Sequence, residues 1–92
     1  NTVPAKVRLA RLLLQLRIGD SDRVHRLSLA DFGGILGITP ETVSRLLSEL
    51  GDSEILIKAG RGEHGRNYRA DIPALTAISQ DVGRARQTPK TY

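Results

Sequence analysis

A mainly α fold with one small β-hairpin is what this 92-residue sequence predicts, and three observations carry the prediction. Helix-period apolar patterns dominate the chain. Two short helical stretches flank a tight turn at Gly37-Ile38-Thr39. Two short strand-like runs flank a glycine-rich segment from Gly60 to Gly65. A three-helix core with a hairpin laid beside it satisfies all three.

The first helix is expected from about Pro4 to Ile18, because proline suits a first helical turn where its missing N–H costs nothing. Arg8, Arg11 and Gln15 share one narrow stripe, and Val7, Leu9, Ala10, Leu12, Leu13, Leu14 and Leu16 fill most of the remainder. That exceeds what a surface helix needs. Part of this face is expected to pack on the domain core, and the rest on something outside this sequence, a second domain or subunit. Gly19-Asp20-Ser21-Asp22 breaks the helix. Val24 to Leu29 alternates weakly, as a short strand would.

Ser28 followed by Asp31 resembles a capping box, which places a helix from Leu29 to Leu36. The next helix, Thr39 to Leu50, is the best specified. Thr39 is a sound N-cap, Pro40 occupies the first helical position, and Glu41 suits the positive end of the helix dipole. Val43, Leu46, Leu47 and Leu50 share one arc, while Glu41, Ser44, Arg45, Ser48 and Glu49 hold the opposite one. One face is built for a core and the other is offered outward. Gly51 to Glu54 ends the helix. Ile55–Lys58 and Asn67–Ala70 read as the hairpin strands, and a last helix, about Pro73 to Ser79, turns Leu75 and Ile78 inward. From Gln80 the chain is polar, and a frayed tail is expected.

Ninety-two residues make one domain. There is no Cys, so neither a disulfide, a thiol nucleophile nor a Cys-ligated metal is available. No apolar run approaches the ~20 residues that cross a bilayer, and no signal peptide is visible. The chain opens on Asn1-Thr2-Val3-Pro4 rather than Met, which reads as part of a longer cytoplasmic protein. Lys and Arg outnumber Asp and Glu by 14 to 10, giving a net charge of +4. Most of the cations are Arg, the better fork for phosphate and guanine.

Helix, short strand, helix, tight turn, helix, hairpin is the order of a winged helix-turn-helix, with the motif at 29–50 and the wing at 55–70. Gly33 sits where the two motif helices should cross, and Gly37 can take the left-handed conformation of the turn. Ile38 and Val43 are placed to plug the angle between the helices. Gly34, beside Gly33, costs about 1 kcal/mol against Ala in a helix. The domain proper is expected at 20–80, with 1–19 as a helix packing on it and on a missing upstream domain, and 81–92 as tail.

The run Leu36-Gly37-Ile38-Thr39-Pro40-Glu41-Thr42-Val43-Ser44-Arg45-Leu46-Leu47 resembles the motif of the Crp/Fnr family of bacterial transcription regulators, and the resemblance covers about residues 3 to 80. It implies a cytoplasmic, homodimeric, effector-controlled regulator that binds double-stranded DNA. The dimerisation helix and the nucleotide-binding-type sensor domain would lie upstream, and RNA polymerase is a candidate further partner. No cofactor is expected in this chain. By position, Glu41, Ser44 and Arg45 match the family's base-reading residues, and Glu-x-x-Ser-Arg resembles the branch that reads TTGAT-like half-sites. Arg45 can donate two bonds to guanine and Glu41 can accept from cytosine. Ser28, Thr39 and Thr42 match phosphate-contacting positions, and Arg61 and Arg66 in the wing are expected phosphate clamps. The family usually has Gly or Asn where Glu54 stands, and Pro40 replaces an arginine that reads a base in the cyclic-AMP receptor branch.

Other readings are weighed on the same residues. Glu41 and Arg45, four apart, could form only a surface ion pair. Gly60-Arg61-Gly62-Glu63-His64-Gly65 spells G-x-G-x-x-G, yet a strand follows where a dinucleotide site requires a helix. His25 and His64 stand alone, without ligands at metal spacing, and no catalytic constellation is present, so no enzyme is expected. A winged helix that holds protein rather than DNA is the rival reading, and it would favour an apolar or acidic outer face on residues 39–50. A winged helix on RNA would call for stacking aromatics, of which only Phe32, Tyr68 and Tyr92 exist.

Overall fold

The computed structural model describes residues 3–62 and 65–81, with Arg61 and Gly62 described by their backbone. Four helices, α1 (Ala5–Gln15), α2 (Leu29–Leu36), α3 (Pro40–Asp52) and α4 (Ile72–Ser79), enclose a core beside three strands, β1 (Arg23–His25), β2 (Leu56–Gly62) and β3 (Gly65–Ala70). The strands form one antiparallel sheet in the order β1-β3-β2, so the hairpin wing is stitched to the strand that precedes the motif.

Helix α1 stops three residues short of the expected Ile18, because the backbone beyond it has another use. Arg17 bridges Val24, Ile18 N–H donates to the Arg23 carbonyl at 2.8 Å, and the Leu16 carbonyl accepts from His25 N–H at 2.9 Å. The leucine-rich face is largely taken up within this chain. Val7, Leu9, Ala10 and Leu13 are buried, and Leu12, Leu14 and Leu16 pack half-buried against the same core. The polar stripe ties helix ends together. Arg8 donates to the Leu36 carbonyl at the end of α2, and Arg11 to the Ser79 carbonyl at the end of α4, at 2.6 and 3.0 Å. Both cations sit where the helix dipole is negative.

The strand expected over 24–29 is shorter, because Ser28 leaves it to cap α2: its Oγ accepts from Asp31 N–H at 3.0 Å. Helix α2 has the expected bounds. Gly37 ends it in the left-handed region at φ 72°, and both Gly37 and Ile38 donate to the Gly33 carbonyl. Gly33 is needed for contact: a β-carbon there would lie 2.6 Å from the Ile38 carbonyl oxygen. One next door at Gly34 would meet nothing within 4 Å.

Helix α3 runs two residues past Leu50. Thr39 caps it, accepting from Thr42 N–H at 3.2 Å, and Val43, Leu46 and Leu50 are buried beneath it, each worth roughly 1.5–3 kcal/mol of apolar transfer. Its end resolves the departure at Glu54. Ile55 N–H donates to the Leu50 carbonyl and Glu54 N–H to the Gly51 carbonyl, both at 2.9 Å, with Glu54 at φ 62°. That is a Schellman termination with a glutamate in the glycine seat, a backbone state that costs an L-residue roughly 1–2 kcal/mol. The turn geometry is kept.

The hairpin strands reach further than expected, so Gly60 to Gly65 belongs mostly to the strands. A bulge between Lys58 and Gly60 leaves Ala59 out of the register, and Gly60, paired with Asn67, stands beside it at φ 81°. Strand β3 continues directly from Gly65, which removes the dinucleotide-loop reading. Helix α4 begins at Ile72 behind Asp71, whose carboxylate accepts from Ala74 N–H at 3.1 Å, and Leu75 is fully buried. The tail expected from 81 lies, beyond Asp81, outside the described residues.

Candidate nucleic-acid interface

The packing of α3 decides what it can present. With Val43, Leu46 and Leu50 buried, Glu41, Ser44 and Arg45 stand exposed on the opposite side. Positions i, i+3 and i+4 are neighbours on a helix surface, so these three form one continuous patch. A 13-residue helix is ~20 Å long and 10–12 Å across with side chains, matching a B-DNA major groove about 12 Å wide.

Arg45 pairs with Glu49, its Nη1 donating to Oε2 at 3.2 Å, and not with Glu41 as the simple ion-pair reading supposed. The other Glu49 oxygen faces Lys6 of α1, 3.7 Å away. All three side chains are well exposed. Such a pair is worth a few tenths of a kcal/mol, against ~1–3 kcal/mol for a bidentate arginine–guanine contact. Glu49 therefore steadies Arg45 without locking it, and the rest of the guanidinium fork stays available. Glu41 enters none of the ion pairs among the described residues.

The hydroxyl positions fall at the helix N-termini. Thr39 Oγ1 lies 3.0 Å from Thr42 Oγ1 as well as accepting from Thr42 N–H, so part of this end's hydrogen bonding is already used. Pro40 has no N–H, which leaves Glu41 as the backbone donor there without an intrahelical partner. At the start of α2, Ser28 caps Asp31, and Leu29 and Ala30 keep amides of that kind.

Between α3, the start of α2 and the wing lies a groove of about 590 Å³ lined by Arg26, Ser28, Ser44, Ser48, Lys58 and Arg66, among others. It joins two of the expected elements, the Ser28 cap and the wing Arg66, to the exposed face of α3 through Ser44. Arg61 stands opposite Arg66 in the hairpin register, and its side chain lies outside the described residues. Arg26 and Lys58 were not singled out from sequence. The available signal was the two-residue alternation of the wing, Leu56-x-Lys58 and Arg66-x-Tyr68-x-Ala70, which puts each set on one face of its strand. Arg26 is 5.6 Å from the Tyr68 ring centroid, a cation–π distance. Burial pushes the Tyr68 hydroxyl up from its usual range, Arg26 partly opposing it, so it stays neutral.

His25 lies in β1 opposite Asn67, and His64 lies outside the described residues. Among the described residues no group of three or more His, Cys, Asp or Glu could hold a metal ion, and no helix is long and apolar enough to cross a membrane.

Solved structures that share this fold include two transcriptional regulators. TTHA1359, a CRP/FNR-family transcriptional regulator from Thermus thermophilus, is 20% identical with a TM-score of 0.68, the match covering 89% of this chain and 43% of that one. TTHB099, a CRP-family transcriptional regulator from the same organism, is 25% identical with a TM-score of 0.67, covering 88% and 43%. The chain thus spans less than half the length of either regulator. A comparison with curated protein sequences finds no match. The profile of the Crp-like helix-turn-helix domain matches residues 7–78, which is most of the chain and the whole of the motif and wing. The chain belongs to the Crp-like helix-turn-helix domain family.

Proposed function

We propose that this chain binds double-stranded DNA sequence-specifically, with α3 in the major groove of TTGAT-like half-sites, as the DNA-binding part of an effector-controlled, homodimeric transcription regulator. One observation carries the reading: a helix anchored by Val43, Leu46 and Leu50 turns Glu41, Ser44 and Arg45 together toward solvent. Family membership and the fold shared with two transcriptional regulators support DNA-binding transcription regulation. Glu41, Ser44 and Arg45 read bases; Ser28, Thr39, Thr42, Arg61 and Arg66 hold phosphates. The exposed α3 face carries charge and hydroxyls in place of the apolar surface a protein-docking helix presents. The chain acts without chemistry of its own, in the cytoplasm. Effector binding, the dimer contact and any contact with RNA polymerase belong to the longer protein.

Two such subunits place their α3 helices in successive major grooves about 34 Å apart. A mobility shift with a duplex carrying two inverted TTGAT half-sites, against a scrambled duplex, at two salt concentrations, tests the proposal. The expected result is preferential retention of the TTGAT duplex at both salts, with weaker binding overall at the higher one. Equal retention of both duplexes removes the specific reading, and no shift on either removes DNA binding.

A further inference from the structure

The inner face of the wing changes chemistry along its length. Val24, Tyr68 and Lys58 stand opposite one another across β1, β3 and β2. Near α4 this face is apolar, with Leu56, Tyr68 and Ala70 buried in the core. Further out it becomes cationic: Lys58 follows Leu56 at the two-residue strand period, and Arg66 precedes Tyr68 by the same step. The Arg26 guanidinium rests over the Tyr68 ring, joining the other two on the wall of the groove that Ser44 and Ser48 of α3 close from the far side. Three cations from three separate backbone segments thus converge on one concavity, beside hydroxyls able to donate to an anion. Arg26 is half-buried, and its guanidinium head lies over an aromatic ring rather than against a carboxylate. Among the described residues the one acid lining the groove, Asp52, stands at the C-terminal end of α3. Elsewhere on the sheet Arg23 and Arg69 share one carboxylate, that of Asp22, at 3.8 and 3.7 Å.

We infer that Arg26 and Lys58 are phosphate-binding residues, and that the groove between α3 and the wing seats the backbone of one DNA strand while α3 occupies the adjoining major groove. Arg26 is the preorganised member, its guanidinium parked on Tyr68 where a phosphate oxygen enters. Lys58 acts as a mobile point charge at the rim. The contacts are blind to sequence, so they raise affinity for any duplex and steepen its salt dependence, leaving the choice of half-site to α3. The inference rests on the DNA-binding reading above, and the test keeps the two apart.

Affinity of this chain for a labelled duplex is measured by fluorescence anisotropy over a salt series, for the parent chain, Lys58→Gln, Lys58→Gln with Arg26→Gln, and Arg69→Gln as control. Each lost phosphate contact lowers the slope of log affinity against log salt by about 0.9. The single variant is expected to lose about that much and the double variant about twice it, with the ratio of specific to scrambled affinity kept. Arg69→Gln is expected to leave the slope alone. Lys58 is exposed at the sheet edge, so Lys58→Gln decides the matter even if the double variant melts early. A parent slope retained by Lys58→Gln and by the double variant overturns the groove assignment. A parent chain that binds no duplex overturns the DNA-binding reading, and the groove assignment with it.

Discussion

Replacing Arg45 by alanine is expected to cost about 1–3 kcal/mol on the preferred duplex, some 5- to 150-fold in affinity, and to relax the choice at a single base pair. The size follows from what the guanidinium can exchange. Its partner in the free chain is Glu49 at 3.2 Å, an exposed pair worth a few tenths of a kcal/mol. A guanine O6/N7 edge offers two directed acceptors in place of one screened charge. Losing Arg45 therefore removes the larger interaction and leaves Glu49 still facing Lys6. Stability should hardly change, because the Arg45 side chain is exposed and surface changes of this kind stay within about 0.5 kcal/mol. Anisotropy titrations against duplexes altered one base pair at a time read both effects. Equal losses on preferred and random duplexes would assign Arg45 to the phosphates instead.

The second large effect belongs to a pair of adjacent glycines with opposite responses. Gly33→Ala places a methyl group 2.6 Å from the Ile38 carbonyl oxygen, a backbone atom in the turn between the motif helices. The turn cannot yield without moving α3, and overpacking of this kind costs about 1–3 kcal/mol. Gly34→Ala adds its methyl to open space on an exposed helical position, and is expected to stabilise by about 1 kcal/mol through helix propensity alone. For a domain of this size each kcal/mol moves Tm by about 4–8 °C. Thermal melts of the two variants should fall on opposite sides of the parent. If Gly33→Ala melts with the parent, the close approach that fixes the angle between α2 and α3 is not under steric control.

The parts of the interface that were legible in the sequence are those specified by short-range chemistry. Ser28 and Thr39 cap the two motif helices within three residues of themselves, and Pro40 and Gly37 fix the backbone on either side of the turn. Helix α2 accordingly has its expected bounds, and α3 differs only at its C-terminal end. The apolar arc of α3 located the core and, by subtraction, the exposed face. What was hidden depended on long-range register. Local rules favour Glu41 as the partner of Arg45, since the acid N-terminal to the cation at i,i+4 is the better order; Glu49 is the partner instead, and it is the one that Lys6 of α1 also approaches, across the fold. Arg26 and Lys58 come together only because β1 and β2 flank β3, an order set by tertiary pairing. Glu54 in a left-handed seat runs against its own propensity and is imposed by the Schellman bonds around it.

The central claim, that α3 reads bases from the major groove, is met most directly by methylation interference on a bound duplex. Dimethyl sulfate marks guanine at N7, in the major groove, and adenine at N3, in the minor groove, where proteins find only a degenerate pattern. A methylated guanine in the TTGAT half-site, which holds one, should be depleted from the bound fraction, and the Arg45→Ala variant should lose that depletion. Methylated adenines in the same half-site should be recovered at parent levels. Interference confined to adenine N3, or none at any guanine, would contradict a recognition helix in the major groove.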